Sequence, residues 1–284
     1  MIVSIIIPTY KDWDRLQLCL QALQMQTYSQ DLFEIIIVNN APQDIRPKHF
    51  KIPGNCILIS EAKPGSYAAR NSALAICRGS IVGFTDSDCI PDKNWIKNAV
   101  GFFRDHPEIE RIGGAIQIFF KSHKPSKVEL YDEIFAFPQK AYVESGNAVT
   151  ANMFTYRESF DKIGLFDSSL LSGGDYQWGK RAFLAGCKIG YAPNVLVKHP
   201  ARPSVKDLVE KAKRVGKGQA KFKKNNRAKE KTDLIKILAL LKPRIWEIKM
   251  IFKKGKKIGF LNKLYLVFLR HYIVIVGDLT RIRN

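Results

Sequence analysis

Asp86, Ser87 and Asp88 place two carboxylates one residue apart, directly after the apolar run Ser80 to Phe84. In extended backbone, residues i and i+2 project to the same side. Two hard oxygen groups so placed repel each other unless a cation lies between them, and Mg2+ or Mn2+ shared with a diphosphate makes the arrangement favourable. The same tripeptide also suits a turn whose Asp caps a helix starting near Asp92 or Lys93. Its meaning therefore depends on the elements that carry it.

Those elements follow a regular alternation. Val3 to Ile7 is β-rich and stops at Pro8-Thr9-Tyr10; Leu16, Leu18, Cys19, Leu20, Leu23 and Met25 then give a helical stripe. Glu34 to Val38 reads as a second strand ending at Asn39-Asn40, and Cys56 to Ile59 as a third. An alanine-rich helix is expected over Tyr67 to Cys77, before the strand that ends at Asp86. Further on, Ile112 to Phe119 reads as a strand, Leu171 to Ala185 contains a helix, and Lys188 to Tyr191 is a short strand. Residues 204–225 and 231–280 are expected to be helical. Nearly continuous apolar strands alternating with helices describe an α/β chain with a parallel sheet covered on both faces. Ligands of such sheets bind beyond the carboxyl ends of the strands, which is where Tyr10, Asn39 and Asp86 fall.

One ordered set adds to this pattern: Ile5-Ile6-Ile7-Pro8-Thr9-Tyr10, Ala68-Ala69-Arg70-Asn71, Asp86-Ser87-Asp88, Ala151-Asn152 and Gly173-Gly174-Asp175. From about residue 2 to His199 the chain resembles the family 2 glycosyltransferases. The resemblance implies a GT-A fold, a Rossmann-like, mostly parallel sheet. It also implies an inverting transferase that moves a sugar from a nucleotide-diphosphate sugar to a hydroxyl acceptor, saccharide or lipid-linked glycan, in polysaccharide or cell-envelope synthesis. Mn2+ or Mg2+ is the implied cofactor. By resemblance, Pro8, Thr9 and Tyr10 lie against the nucleotide base, Arg70 reaches the base or the diphosphate, and Asp86 and Ser87 approach the donor. Asp88 holds the metal, His199 completes its site, and Asp86 is a further candidate ligand. Asn152 lines the donor sugar, and Asp175 is the general base that deprotonates the acceptor hydroxyl.

The chain departs from the family pattern at two places. Asn39-Asn40 stands where an aspartate is usual after the second strand; an amide can still pair with a base edge, so Asn39 is kept as a donor contact and the nucleotide need not be UDP. Gly174 stands where a second acid is usual before Asp175. Residues 113–151 are expected to bind the acceptor, with Phe119, Phe120, Tyr131, Phe135, Phe137 and Tyr142 available for sugar stacking or for core packing.

Charge divides the 284 residues. Of 46 basic and 26 acidic side chains, residues 200–284 hold 24 and 6, a net of +18 against +20 for the whole chain. This sets a catalytic domain at 1–203 apart from a basic, mainly helical region at 204–284. The basic region combines lysines with Trp246, Phe252, Phe260, Leu264, Tyr265 and Phe268, a composition suited to an anionic membrane surface. Nucleic acid is disfavoured, since no helix-turn-helix, zinc, RRM or KH signature is present. The run Leu264 to Gly277, interrupted by Arg270 and His271, falls short of the roughly 20 apolar residues a spanning helix needs.

Five cysteines without a C-x-x-C pair argue against a disulfide framework, and no basic n-region precedes Ile2. The expected location is the cytoplasm, with peripheral contact on the inner face of the cell membrane. No G-x-G-x-x-G follows the first strand, which removes a dinucleotide-dependent oxidoreductase. A catalytically degenerate sugar- or membrane-binding scaffold is the alternative, resting on Asn39, Asn40 and Gly174.

Overall fold

The computed structural model describes residues 1–224, 244–256 and 258–283. Arg227, residues 231–243 of the expected second basic helix, and Lys257 lie outside the described residues. The chain forms two compact units. The first comprises Met1–Gln117 and Phe137–Pro200; the second comprises Ile118–Ala136 together with the described residues from Ala201 onward. Ile118–Ala136 thus groups with the described residues that follow Pro200.

The first unit is built on an eight-stranded sheet. Its strands are β1 (Val3–Thr9), β2 (Phe33–Asn39), β3 (Cys56–Ser60), β4 (Ile81–Thr85), β5 (Ile90–Pro91), β6 (Arg111–Phe119), β7 (Asn152–Tyr156) and β8 (Ile189–Pro200). Their spatial order is β3-β2-β1-β4-β7-β6-β8-β5. β3, β2, β1 and β4 run parallel, whereas β7 is antiparallel to β4 and to β6, and β5 is antiparallel to β8. Every residue of β1, β2 and β4 is buried, as suits largely apolar runs in a sheet covered on both faces. The covering helices are α1 (Trp13–Gln24), α2 (Ser66–Leu74), α3 (Trp95–Asp105), α5 (Gln139–Glu144), α6 (Glu158–Ile163) and α7 (Gly174–Leu184).

Polar groups inside this layer are paired. Ser4, near the start of β1, donates to Glu34 Oε1 at 2.6 Å, and the same carboxylate accepts from Arg78 through its backbone N–H and its Nε. Because chain order runs from β1 outward to β2 and then back across to β4, the sheet changes winding direction between β1 and β4. The crevice beyond these carboxyl ends is the natural ligand position of such a sheet.

The second unit joins α4 (Lys127–Phe135) to α8 (Val205–Lys224), α9 (Ile245–Lys254) and α10 (Phe260–Arg283). α4 opens with a capping box between Ser126 and Glu129. Tyr131, Ile134, Leu208, Ile251, Leu266, Leu269 and Ile273 form its core. The Tyr131 and Phe135 rings pack at a tilt of 42° with centroids 5.0 Å apart, and Arg270 lies over Phe135 at 4.5 Å, so these two aromatics pack within this unit. α10 is 24 residues long and is long and apolar enough, by length and composition, to cross a membrane. The sequence run Leu264 to Gly277 understated it because the helix extends through less apolar residues at both ends. Arg270 is neutralised by a two-pronged contact with Glu247, at 2.8 and 2.6 Å.

Candidate active site

β4 delivers Asp86 and Asp88 to the crevice, and two different cations meet them. Arg70, on α2, is buried and donates through Nη2 to Asp86 Oδ1 at 2.6 Å. Asp88 faces His199: the separation from Oδ1 to Nε2 is 3.6 Å. Strand register explains that meeting. β5 pairs with β8 so that Ile90 opposes Lys198 and Pro91 opposes Val197. One step further along the same antiparallel ladder sets His199 beside the Asp88-Cys89 segment.

The His199 ring is held on two sides. Nδ1 lies 2.7 Å from the carbonyl oxygen of Pro200, which can only accept, so Nδ1 carries a proton and Nε2 is the nitrogen that faces Asp88. Phe137 packs on the ring at 4.7 Å between centroids. A backbone carbonyl fixing the far nitrogen is the arrangement usual for imidazoles that bind metal. Burial pushes the Asp88 carboxyl above the usual carboxylate range; His199 and Arg15 act against that rise and Asp86 adds to it.

A divalent cation suits this donor set. One carboxylate oxygen and one imidazole nitrogen converge, a second carboxylate follows two residues away, and like charge between Asp86 and Asp88 favours a cation. Cys89 Sγ also lies within 4.8 Å of the Asp88 and His199 ligand atoms. Burial holds its thiol well above its ordinary range, so it enters as a packed neutral group and not as a thiolate.

Asp12 and Arg15 were not singled out by sequence reasoning. Asp12 precedes α1, yet its carboxylate makes no helix cap; it accepts from Arg15 Nε at 2.8 Å and from Ser87 Oγ at 3.3 Å. Arg15 reaches on to Asp88 Oδ2 at 3.3 Å. The only available signal was an acid and a base just beyond Pro8-Thr9-Tyr10, a spacing too common to stand out.

Thr9 is buried at the end of β1 with Pro8, and Tyr10 beyond it is 61% exposed, with Lys11 Nζ 5.6 Å from the centre of its ring. Thr9 Oγ1 and Arg70 Nε are buried without a hydrogen-bond partner among the described residues. Orphaned polar atoms beside a sheet crevice are where a polar ligand compensates for desolvation.

Two expected donor contacts are engaged elsewhere. Asn39 donates to the Asp44 carbonyl at 3.1 Å and accepts from the Ala41 N–H at 3.0 Å, so both ends of its amide close its own turn rather than offer an edge to a base. Its neighbour Asn40 donates to the carbonyls of Glu61 and Lys63 and accepts from the Gly65 N–H, fixing the approach to α2. Asn152 is fully buried. It accepts from Trp95 Nε1 at 2.9 Å and donates to the carbonyls of Ala115 and Val195 at 2.7 and 2.9 Å. It ties β6, β8 and α3 together. Gly114 permits this closeness, since a Cβ there would stand 2.3 Å from the Val195 carbonyl oxygen.

Asp175 lies in the first turn of α7. Its Oδ1 accepts from the N–H of Tyr176 at 2.9 Å and from the phenol of Tyr67 at 3.1 Å. Burial pushes its carboxyl upward; the Tyr176 N–H, Arg70, Tyr67 and the Thr150 N–H act in the other direction. The upward direction suits a group that must take a proton near neutrality. Gly174 is explained by the same neighbour: a Cβ there would stand 2.7 Å from the Tyr67 ring. An acidic side chain has no room at that position while the ring occupies it.

A sequence profile described as Glycosyl transferase family 2 matches residues 4–164, which include Arg70, Asp86 and Asp88 and end before Asp175 and His199. Glycosyltransferase AglE of Haloferax volcanii is 35% identical over 223 residues, covering 76% of this chain and 72% of the relative. Dolichyl N-acetyl-alpha-D-glucosaminyl phosphate 3-beta-D-2,3-diacetamido-2,3-dideoxy-beta-D-glucuronosyltransferase of Methanococcus voltae is 22% identical over 229 residues, covering 73% and 70%. Among solved structures, mannosyltransferase PcManGT from Pyrobaculum calidifontis in complex with GDP-Man and Mn2+ is similar at TM-score 0.60 and 19% identity, over 99% of this chain and 85% of that one. S. aureus TarS 1-349 in complex with UDP-GlcNAc is similar at TM-score 0.55 and 15% identity, over 99% and 90%.

Proposed function

The chain belongs to glycosyl transferase family 2 and is a glycosyltransferase, and from that membership we propose that it is an inverting, metal-dependent enzyme using a nucleotide-diphosphate sugar. The observation that carries the reading is the pairing of Asp88 with His199 beside Arg70 and Asp86, in the crevice between β1 and β4. Asp88 and His199 would hold Mn2+ or Mg2+, with Asp86 within reach of it or of the donor. When bound, such a cation neutralises charge gathering on the departing diphosphate. Tyr10 stacks on the base, Thr9 and Pro8 line its seat, and the orphaned Nε of Arg70 donates to the donor, while Ser87 holds Asp12 in register.

Asp175 takes the proton of the acceptor hydroxyl as its oxygen attacks the anomeric carbon. The new carbon–oxygen bond forms on the face opposite the one that breaks, and the bonding pair leaves with the diphosphate. Inversion follows. The named relative from Methanococcus voltae acts on a dolichyl phosphate sugar, which supports a lipid-linked glycan as acceptor here.

Membrane contact through the second unit agrees with such an acceptor. Leu266, Leu269 and Ile273 of α10 face that unit's core, whereas Leu261, Phe268 and Tyr272 are exposed at 79, 72 and 50%. Lys263 lies over Phe252 and Lys127 over Tyr265, so cationic groups flank the exposed apolar stripe. A helix already packed on one face lies in the plane of an anionic leaflet more readily than it crosses one. The scaffold alternative is not favoured: Asn39, Asn40 and Gly174 each have a packing or loop-closing reason independent of any lost activity.

The test is thermal stability of the full chain with UDP, GDP and dTDP, each with and without Mn2+. Stabilisation by at least one of them that depends on the metal supports the reading, and no response to any of them overturns it.

A further inference from the structure

We infer that Tyr67 is a positioning residue for Asp175, its phenol holding the carboxylate in one orientation at the first turn of α7. The inference builds on the reading of Asp175 as general base but is measurable without it. The Tyr67 hydroxyl donates to Asp175 Oδ1 at 3.1 Å. Its ring cannot swing away easily. On one side it covers Gly174, where a Cβ would meet Cδ2 and Cε2 at 2.7 Å. Phe166 packs against the ring at 5.7 Å and the Arg70 guanidinium lies 5.8 Å from its centroid. Burial and the nearby Asp175 charge raise the phenol above its ordinary range, so it stays protonated and donates throughout the working pH.

The placement has a consequence for geometry. Tyr67 and Arg70 stand three residues apart on α2 and therefore share a face of that helix. Arg70 grips Asp86 and Tyr67 grips Asp175, so one helical turn ties the donor-side acid to the acceptor-side base. The groups facing Asp175 are Tyr67 and Arg70 from α2, the Thr150 N–H ahead of β7, and the Tyr176 N–H of its own helix. Backbone N–H groups from Tyr176 and Thr150 face the carboxylate, and a bond from a ring fixed by its own packing adds a directional restraint on its orientation.

The experiment is a carboxyl 13C titration of the full chain labelled at aspartate, with the Asp175 resonance assigned by its loss in Asp175→Asn. Tyr67→Phe keeps the ring and removes only the hydroxyl. Because hydrogen bonding to the charged form favours it, the Asp175 pKa is expected to rise by at least roughly half a unit in that variant. Gly174→Ala displaces the ring and shifts it the same way. In the double variant the two shifts do not add, because both act through one bond. An Asp175 titration unchanged by Tyr67→Phe, or fully additive shifts, overturns the inference. Survival of sugar transfer in Asp175→Asn would instead remove the base reading, leaving the titration to decide Tyr67 by itself.

Discussion

His199 presents Nε2 to Asp88 Oδ1 at 3.6 Å while its Nδ1 is anchored to the Pro200 carbonyl at 2.7 Å. The histidine is thus oriented before any cation arrives. Asp88→Ala is expected to abolish the Mn2+-dependent part of stabilisation by a nucleoside diphosphate, about 2.7 kcal/mol when ligand stands at a hundred times its dissociation constant. His199→Ala should raise the Mn2+ concentration needed by roughly tenfold or more. Thermal melting over a metal titration measures both, and identical curves for the three proteins would remove the metal assignment.

Asp175→Asn should retain nucleotide binding and lose transfer by about two to four orders of magnitude. Stability should move the other way. A carboxyl whose folded pKa lies above its unfolded value weakens the fold once pH exceeds the unfolded value, about 3.9 for Asp. The Asn variant should therefore equal or exceed the native protein in urea at pH 7, and the difference should vanish at lower pH. A less stable variant at pH 7 would show that the charge itself is structural.

Glu34 gives the opposite sign. Burial pushes its carboxyl up, but Ser4, the two Arg78 bonds and the Arg78 charge outweigh this and hold it below its ordinary range. Its contribution is present above the unfolded pKa and is lost as pH falls through the lower, folded one. Glu34→Gln should cost about 1–3 kcal/mol at neutral pH and progressively less in acid. Denaturant melts from pH 7 down to pH 3 would expose a flat deficit if this account is wrong.

Asn152→Leu should cost about 3–5 kcal/mol, since it strands Trp95 Nε1 and the carbonyls of Ala115 and Val195 inside the sheet. Nucleotide affinity of the folded fraction should be unchanged. Calorimetric titration that finds a selective loss of donor affinity would return Asn152 to the donor pocket.

Leu261→Ser with Phe268→Ser should release the protein from vesicles containing phosphatidylserine while leaving its melting temperature unaltered, because both side chains are exposed. Co-sedimentation undiminished by the pair would place the membrane contact elsewhere.

The parallel strands were legible because β1, β2 and β4 are buried on both faces and so are mostly apolar, with Ser4 and Glu34 admitted only as a hydrogen-bonded pair. β7 and α4 escaped notice. Asn152-Met153-Phe154-Thr155-Tyr156 is short and mixed, and the capping box before Lys127 does not stand out among charged residues. Asp86 and Asp88 were legible for a related reason: a polar pair that ends a wholly apolar strand has to emerge at the strand's carboxyl edge.

Sequence by itself determined the alternation of strands and helices, the family, and the carboxylates at the end of β4, because these are set by neighbours a few residues away. Tertiary structure decided which polar groups face the crevice. Asn152 turns inward because three distant partners converge on it, and Asn39 spends its amide on its own turn. His199 reaches Asp88 only through the register of β5 on β8, and Gly174 is small because the Tyr67 ring fills its place. Register and packing between remote segments leave no periodic mark in the chain, so Arg70 and His199 are reached from sequence only through resemblance to the family, and Asp12 and Arg15 emerge only from the fold.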